Sequence, residues 1–221
     1  MKTDYELGLR VHEHLKNKGV ETPMHQSIVE SDTAARIDTL TGLFRDVWRT
    51  VGLDLTDDSL CETPARMAKM YIKEIYKGLN YHNFPKCTAV ENKMGYDEMV
   101  VEPKCNVQSN CEHHGVVISG YASVAYIPNK RVIGLSKINR IVEFFSKRPQ
   151  IQERLTEQIF HALCYILDTD NVAVVVNAEH YCVKSRGVED VGAYTVTSKL
   201  GGVFRTDASV RQEFLALSRQ G

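Results

Sequence analysis

Long apolar runs are missing from this chain: nothing in it approaches the roughly 20 consecutive apolar residues a membrane helix needs. The opening stretch, MKTDYELGLRVHEHLKNKG, is too polar to act as a secretory signal, so a cytoplasmic location is expected. An excess of charge is missing too. With 27 Lys+Arg against 28 Asp+Glu the net charge is −1, which argues against a protein that coats nucleic acid. Six cysteines show no tight spacing, and 221 residues bury a sizeable core without disulfide staples. No GxxxxGK[ST] loop is present, so phosphate cleavage is not an expected energy source. No second CxxC or CxxH pair closes a structural zinc site.

What is present is a soluble composition, 43% hydrophobic and 25% charged, and one dense cluster of chemistry. In CEHHG, Cys111 and His114 stand three apart, a spacing a turn converges on one metal ion. Far along the chain, EHYCVKSRG offers Cys182 at the end of the strongest strand pattern, with His180 two residues earlier on the same face of that strand. Two thiolates and one imidazole with a vacant fourth corner is the donor set of a catalytic zinc. His113 and His180 remain as unligated imidazoles, the side chains best suited to proton transfer near neutral pH.

The charge is uneven. From Asn129 to Arg154 seven Lys/Arg meet two acids, a local +5 that leaves −6 for the rest. This is either a solvated helical face or a local site for a small polyanion such as a nucleotide phosphate.

Periodicity divides the chain near residue 94. Before it come helices: one capped by Thr3/Asp4 and closing at Gly19; one capped by Ser31 or Asp32 with Ile37, Leu40, Phe44, Val47 and Val51 on a single face; and one with Thr63 as cap, Pro64 in the first helical position and Gly78 as its stop. The expected division is a helical region, 1–94, and a catalytic domain, 95–221. In the second part MVVEPKCNVQS, YASVAYIP, NVAVVVNAEHYCV, YTVTS and GGVFRT read as strands. LSKINRIVEFFSKR and IQERLTEQIFHALCYIL read as helices hinged at Pro149, and DASVRQEFLALSRQ as a closing helix capped by Asp207. Strands, two helices, then strands suits an α+β fold, an antiparallel sheet with helices on one face.

Four stretches, CEHH, GLSKINRIVEFFSKRPQIQERLTEQI, HYCVKSRG and ETPARMAKMYIKEIYKGL, closely resemble the GTP cyclohydrolase I family of the bacterial type, in family order and from about Gly19 onward. The resemblance implies a tunnelling fold, an antiparallel sheet with two helices, preceded by a helical region. It implies a homodecamer of two stacked pentamers with active sites at subunit interfaces. It also implies conversion of GTP and water to 7,8-dihydroneopterin triphosphate and formate, the first step of tetrahydrofolate or pterin formation. Carried over by residue, Cys111, His114 and Cys182 look like ligands of Zn2+, and His113 and His180 like the acid–base pair. Gln152 and Glu153 look like guanine readers, and Ser136 like a proton shuttle at the ribose. Ser136, Lys137, Arg140 and Arg186 look like triphosphate contacts, with Arg66 and Lys69 reaching in from a neighbouring subunit. The chain departs from the family pattern at Gly115, where a bulky apolar residue is usual, at Tyr121, where lysine is common, and at Ala193, where serine is common.

Two other classes fit parts of this pattern. A zinc-dependent nucleobase deaminase also activates water, but its H-x-E … P-C-x-x-C signature is absent. A non-catalytic nucleotide-binding zinc protein of the same fold would keep the ligands without the turnover.

Overall fold

The computed structural model describes residues 2–219. Asp4 caps α1 (Tyr5–Asn17), its carboxylate accepting from the Leu7 N–H at 3.0 Å, and Val11 and Leu15 on its inner face are fully buried. A short α2 (Gln26–Val29) leads to α3 (Thr33–Val51), which Asp32 caps through the Ala34 N–H. The stripe expected to bury α3 does not: of its five apolar positions only Ile37 is buried, and Val47 and Val51 are 52% and 66% exposed. The helix packs instead on α4 (Thr63–Met70), with the Trp48 indole N–H on Met67 Sδ at 3.2 Å and the Phe44 and Tyr71 rings 5.2 Å apart.

At the start of α4 the helix begins one residue earlier than expected: Glu62 is the cap, with no side-chain bond, Thr63 is the first helical residue and Pro64 the second. The helix continues as a π-helical turn, Tyr71–Ile75, and Gly78 lies beyond it in a 3-10 turn, Lys77–Leu79. Gly78, expected as a helix stop, serves a close approach: a Cβ there would meet Phe144 O at 2.0 Å and Lys147 O at 2.8 Å.

The main sheet has five strands: β2 (Val100–Cys111), β3 (Val117–Tyr126), β5 (Pro149–Gln150), β6 (Val172–His180) and β7 (Thr195–Leu200), in the spatial order β5-β2-β3-β6-β7. All neighbours are antiparallel except β5, which runs parallel to β2 through Asn110↔Pro149 and Cys111↔Gln150. Short β1 (Ala89–Glu91) and β4 (Arg131–Ile133) form a separate ladder. The alternation of side chains sorts the two faces. Ala122, Val124, Val172, Val174, Val176 and Ala178 join the large core beneath α5 (Leu135–Ser146) and α6 (Gln152–Leu167). Ala125 and Ala173 point the other way, onto Phe204 and Phe214.

Those two phenylalanines correct one expectation. GGVFRT forms a helical turn, α8 (Gly202–Thr206), not a strand. Phe204 anchors it against Phe214 of α9 (Ala208–Leu217), capped by Asp207 as expected. The two long helices therefore share one face of the sheet, and α8 and α9 cover part of the other. Among the described residues no helix is long and apolar enough to cross a membrane.

Beneath the sheet lies a buried polar web. Arg148 is fully buried, its guanidinium 4.8–5.0 Å from the ring centres of Tyr81, Phe144 and Phe145 and 2.7 Å from Glu21. Glu21 also accepts from the Thr22 N–H and the Tyr81 hydroxyl and contacts His12 Nδ1 at 2.7 Å. Burial alone would raise the Glu21 carboxyl; the His12 contact, the Arg148 charge and the other two donors overcome it and hold it at about 2, against an ordinary 4.5. A depressed carboxyl stabilises fully above its unfolded value and loses that contribution as pH falls through its folded one. The window therefore runs from about pH 4.5 down to about pH 2 and is worth on the order of 3 kcal/mol. Glu21→Gln leaves Arg148 without a counter-charge and is expected to destabilise by about 3–5 kcal/mol at neutral pH. In urea titrations the gap from wild type should narrow steadily across that acid window; a gap independent of pH would show that Glu21 is not charged in the folded state.

Candidate metal centre and its surroundings

Three elements converge on one point. Strand β2 ends at Cys111, and the turn after it folds back through Gly115 N–H to Cys111 O at 2.9 Å and Asn110 Nδ2 to Gly115 O at 3.0 Å. Gly115 sits at φ +67°, a left-handed conformation that costs any other residue strain, so the turn presenting His113 and His114 suits the glycine found there. Across the sheet, the β3–β6 register pairs Ile118 with His180. Strand β6 stops at His180, and Cys182 lies in the single turn α7 (Tyr181–Lys184), not on the strand itself. The turn brings Cys182 round to the first thiol.

The ligand atoms of Cys111, His114 and Cys182 all lie within 4.8 Å of one another. Cys111 Sγ is 3.9 Å from His114 Nδ1, and equally 3.9 Å from His113 Nδ1, so the short spacing alone does not choose between the histidines. Cys182 does, because the group that includes it contains His114. Burial and the neighbouring Cys111 sulfur push the Cys182 thiol up. Two soft sulfurs this close to an imidazole fit zinc, whose tetrahedral Zn–S distances of about 2.3 Å set such donors a little under 4 Å apart.

Some of the other residues singled out from sequence stand near the cluster. His180 is partly buried and its ring is held down by burial, an effect that the Glu153 carboxylate opposes. Its Nε2 lies 2.7 Å from Oε1 of Gln152, at the buried first position of α6. Glu153, one residue on, is exposed, as is His113. Arg186 lies close enough to Cys182 to oppose the rise of its thiol. Ser136 is exposed on α5; Lys137 and Arg140 on the same helix act on the buried Cys87 thiol, and Arg140 lines a cavity of about 210 Å³ with Lys77, Asn83 and Glu143. Arg66 and Lys69 are exposed on α4. The single chain thus gathers the three donors with His180, Gln152, Glu153 and Arg186.

Two contacts near the centre escape a reading of sequence alone. Arg154 bonds Glu112 inside the CEHH turn, and the Glu112 N–H bonds Gln150 O at 3.1 Å. An acid between a cysteine and two histidines is the available signal. Tyr121 accepts from Asn177 Nδ2 at 3.2 Å across the β3–β6 pair.

Comparison with known proteins places this geometry in context. A family profile described as GTP cyclohydrolase I matches residues 40–219. Proteins named GTP cyclohydrolase 1 from Erwinia tasmaniensis and Edwardsiella ictaluri are 54% and 55% identical, over 93% and 95% of this chain and 93% and 94% of their own lengths. One of the same name from Escherichia coli O1:K1 is 53% identical over 95% of the chain and 94% of its own length.

The geometry sorts the two histidines of the turn by metal content. Cys182→Ser is expected to lose most of its bound zinc, since one of three protein donors is gone, whereas His113→Ala should keep it in full. Elemental analysis of the purified variants decides; the reverse pattern would reassign the donors.

Proposed function

This chain belongs to the GTP cyclohydrolase I family, and we infer that its site takes GTP and water to 7,8-dihydroneopterin triphosphate and formate. The observation that carries the reading is the convergence of Cys111, His114 and Cys182 beside His180, within a chain that matches that family over residues 40–219.

Opening the imidazole ring of guanine needs water to attack C8, a poor electrophile. Cys111, His114 and Cys182 would hold zinc, which when bound would supply the Lewis acidity that makes water a competent nucleophile near neutral pH. His180 gives a proton to N7 as C8 is attacked, and His113, on the exposed turn, assists proton transfer. A second hydration releases C8 as formate. The ribose then opens, rearranges and recloses, with Ser136 shuttling a proton there. Lys137, Arg140 and Arg186 hold the triphosphate as a handle, and Lys137 lies in the first turn of α5, where the helix dipole also favours an anion.

The assembly is part of this proposal. Arg66 and Lys69 reach the triphosphate from a neighbouring copy, in a homodecamer of two stacked pentamers. One feature supports this: the exposed apolar side of α3, where Leu43, Val47 and Val51 remain uncovered within one chain. The decisive assay supplies zinc-loaded protein with GTP and measures formate together with fluorescent oxidised neopterin. Ammonia without formate would indicate a deaminase, and neither product a binding protein.

Glu153 sets base choice. Guanine offers two adjacent donors, N1–H and the exocyclic amine, and one exposed carboxylate accepts both. Adenine lacks them and would leave that carboxylate desolvated and unpaired, at about 1–3 kcal/mol for a neutral group and more for a charged one. Sites built on such a bond reject an analogue lacking it by ~10⁴. Glu153→Ala is expected to keep its zinc yet lose GTP affinity and turnover by orders of magnitude, read by isothermal titration and formate release. Unchanged GTP affinity would remove Glu153 from the base site.

A further inference from the structure

We propose that Gln152 is a positioning residue that locks His180 in one tautomer, with the proton on Nε2, so that Nδ1 is the atom that trades protons with the substrate. This rests on the reading of His180 as the acid for N7. It gives Gln152 a different task from the guanine contact expected for it.

Hydrogen-bond direction decides the tautomer. A glutamine side chain has one end that only donates and one that only accepts. The Gln152 amide nitrogen lies 2.9 Å from Thr195 O, 3.1 Å from Val176 O and 3.1 Å from Thr197 Oγ1. Two of these are backbone carbonyls, which only accept. Turning the amide over would press its oxygen against both.

The threonines close the circuit in the same sense. Thr156 donates its single hydroxyl proton to the Gln152 backbone carbonyl at 2.9 Å. In the 2.7 Å contact between the two hydroxyls, Thr197 is then the donor, and its oxygen is free to accept from the Gln152 amide. Every proton in the ring runs one way, and Oε1 is the atom that faces His180. Oε1 cannot donate, so His180 Nε2, 2.7 Å away, carries a proton in either charge state. With Gln152 only 2% exposed, its Oε1 is shielded from water and kept for this contact. The amide's two hydrogens are also fully committed, which leaves none to donate to a purine edge.

The chemical consequence lies at Nδ1. In the charged ring Nδ1–H is the only N–H that is not already engaged. As N7 forms its new N–H bond, the Nδ1–H bond breaks and its electron pair stays on the ring, which becomes the neutral Nε2–H tautomer with no further rearrangement. A ring free to flip would spend part of its time with the wrong nitrogen presented.

The test has a readout independent of turnover. Zinc-loaded protein carrying ¹⁵N-histidine, with His180 assigned by its disappearance in His180→Ala, is examined by NMR at alkaline pH, where the ring is neutral. A protonated Nε2 and a bare Nδ1 are expected; the opposite pattern overturns the proposal. Gln152→Met removes both ends of the contact at similar length. It should keep zinc and keep KM for GTP within about twofold, show mixed tautomers, and lose kcat by roughly 10–100-fold, the usual cost of removing a group that orients a functional histidine. A raised KM with unchanged kcat would return Gln152 to the base site. Should that variant fail to fold, the wild-type spectrum still decides. Full kcat in His180→Ala would defeat the acid assignment, and with it any catalytic purpose for the contact, whichever tautomer is found.

Discussion

The fold hangs on one buried charge. Arg148 cannot shed its proton, and a guanidinium taken wholly out of water costs several kcal/mol unless a carboxylate meets it. Glu21 is that carboxylate, and it is itself held ionised by Tyr81, Thr22 and the His12 contact. The pair therefore fastens the segment after α1 into the core. It also fixes the residues on the C-terminal side of Arg148. Ser109 bonds the Arg148 carbonyl, Pro149 and Gln150 pair with Asn110 and Cys111, and the Gln150 amide bonds Gln158, which in turn bonds Val20 O and Thr22. The end of β2 that carries the first thiol is thus braced, through two residues of β5, by a buried ion pair.

The two halves of the site are built differently. His180 leans on a closed circuit of hydrogen bonds among Gln152, Thr156 and Thr197, where each bond polarises the next. His113 and His114 ride on an exposed turn whose backbone depends on a left-handed glycine. A donor such as His114 tolerates that exposure because a metal bound there would itself define the geometry. A residue that must present one nitrogen and not the other gains more from a rigid mount.

Much of this is legible in the chain itself. Asp4, Asp32 and Asp207 announce three helices because a short carboxylate before an apolar period has a specific local use. Cys111, His114 and Cys182 stand out by type and context, and the sheet does bring their donor atoms together. The features that sequence conceals share a cause. In GGVFRT a β-branched and an aromatic residue suggest a strand, but the packing of Phe204 on Phe214 settles the matter. The apolar period of α3 predicts a buried side without saying that most of it stays uncovered by this core. Arg148 sits in a basic run that reads as surface, because its partner lies too far along the chain for any local window. Alternation cannot show where a strand stops, so Cys182 reads as the end of β6 although it lies in the turn beyond.

That long separation between Arg148 and Glu21 also has a meaning in time. The two are 127 positions apart. At synthesis rates of roughly 5–20 residues per second, Glu21 leaves the ribosome on the order of ten seconds before its cation exists. Until then the segment after α1 has no charge to close upon, and β5 has no anchor from which to brace β2. The brace on the end of β2 that carries Cys111 is therefore out of reach of the newborn chain until two thirds of it has been made.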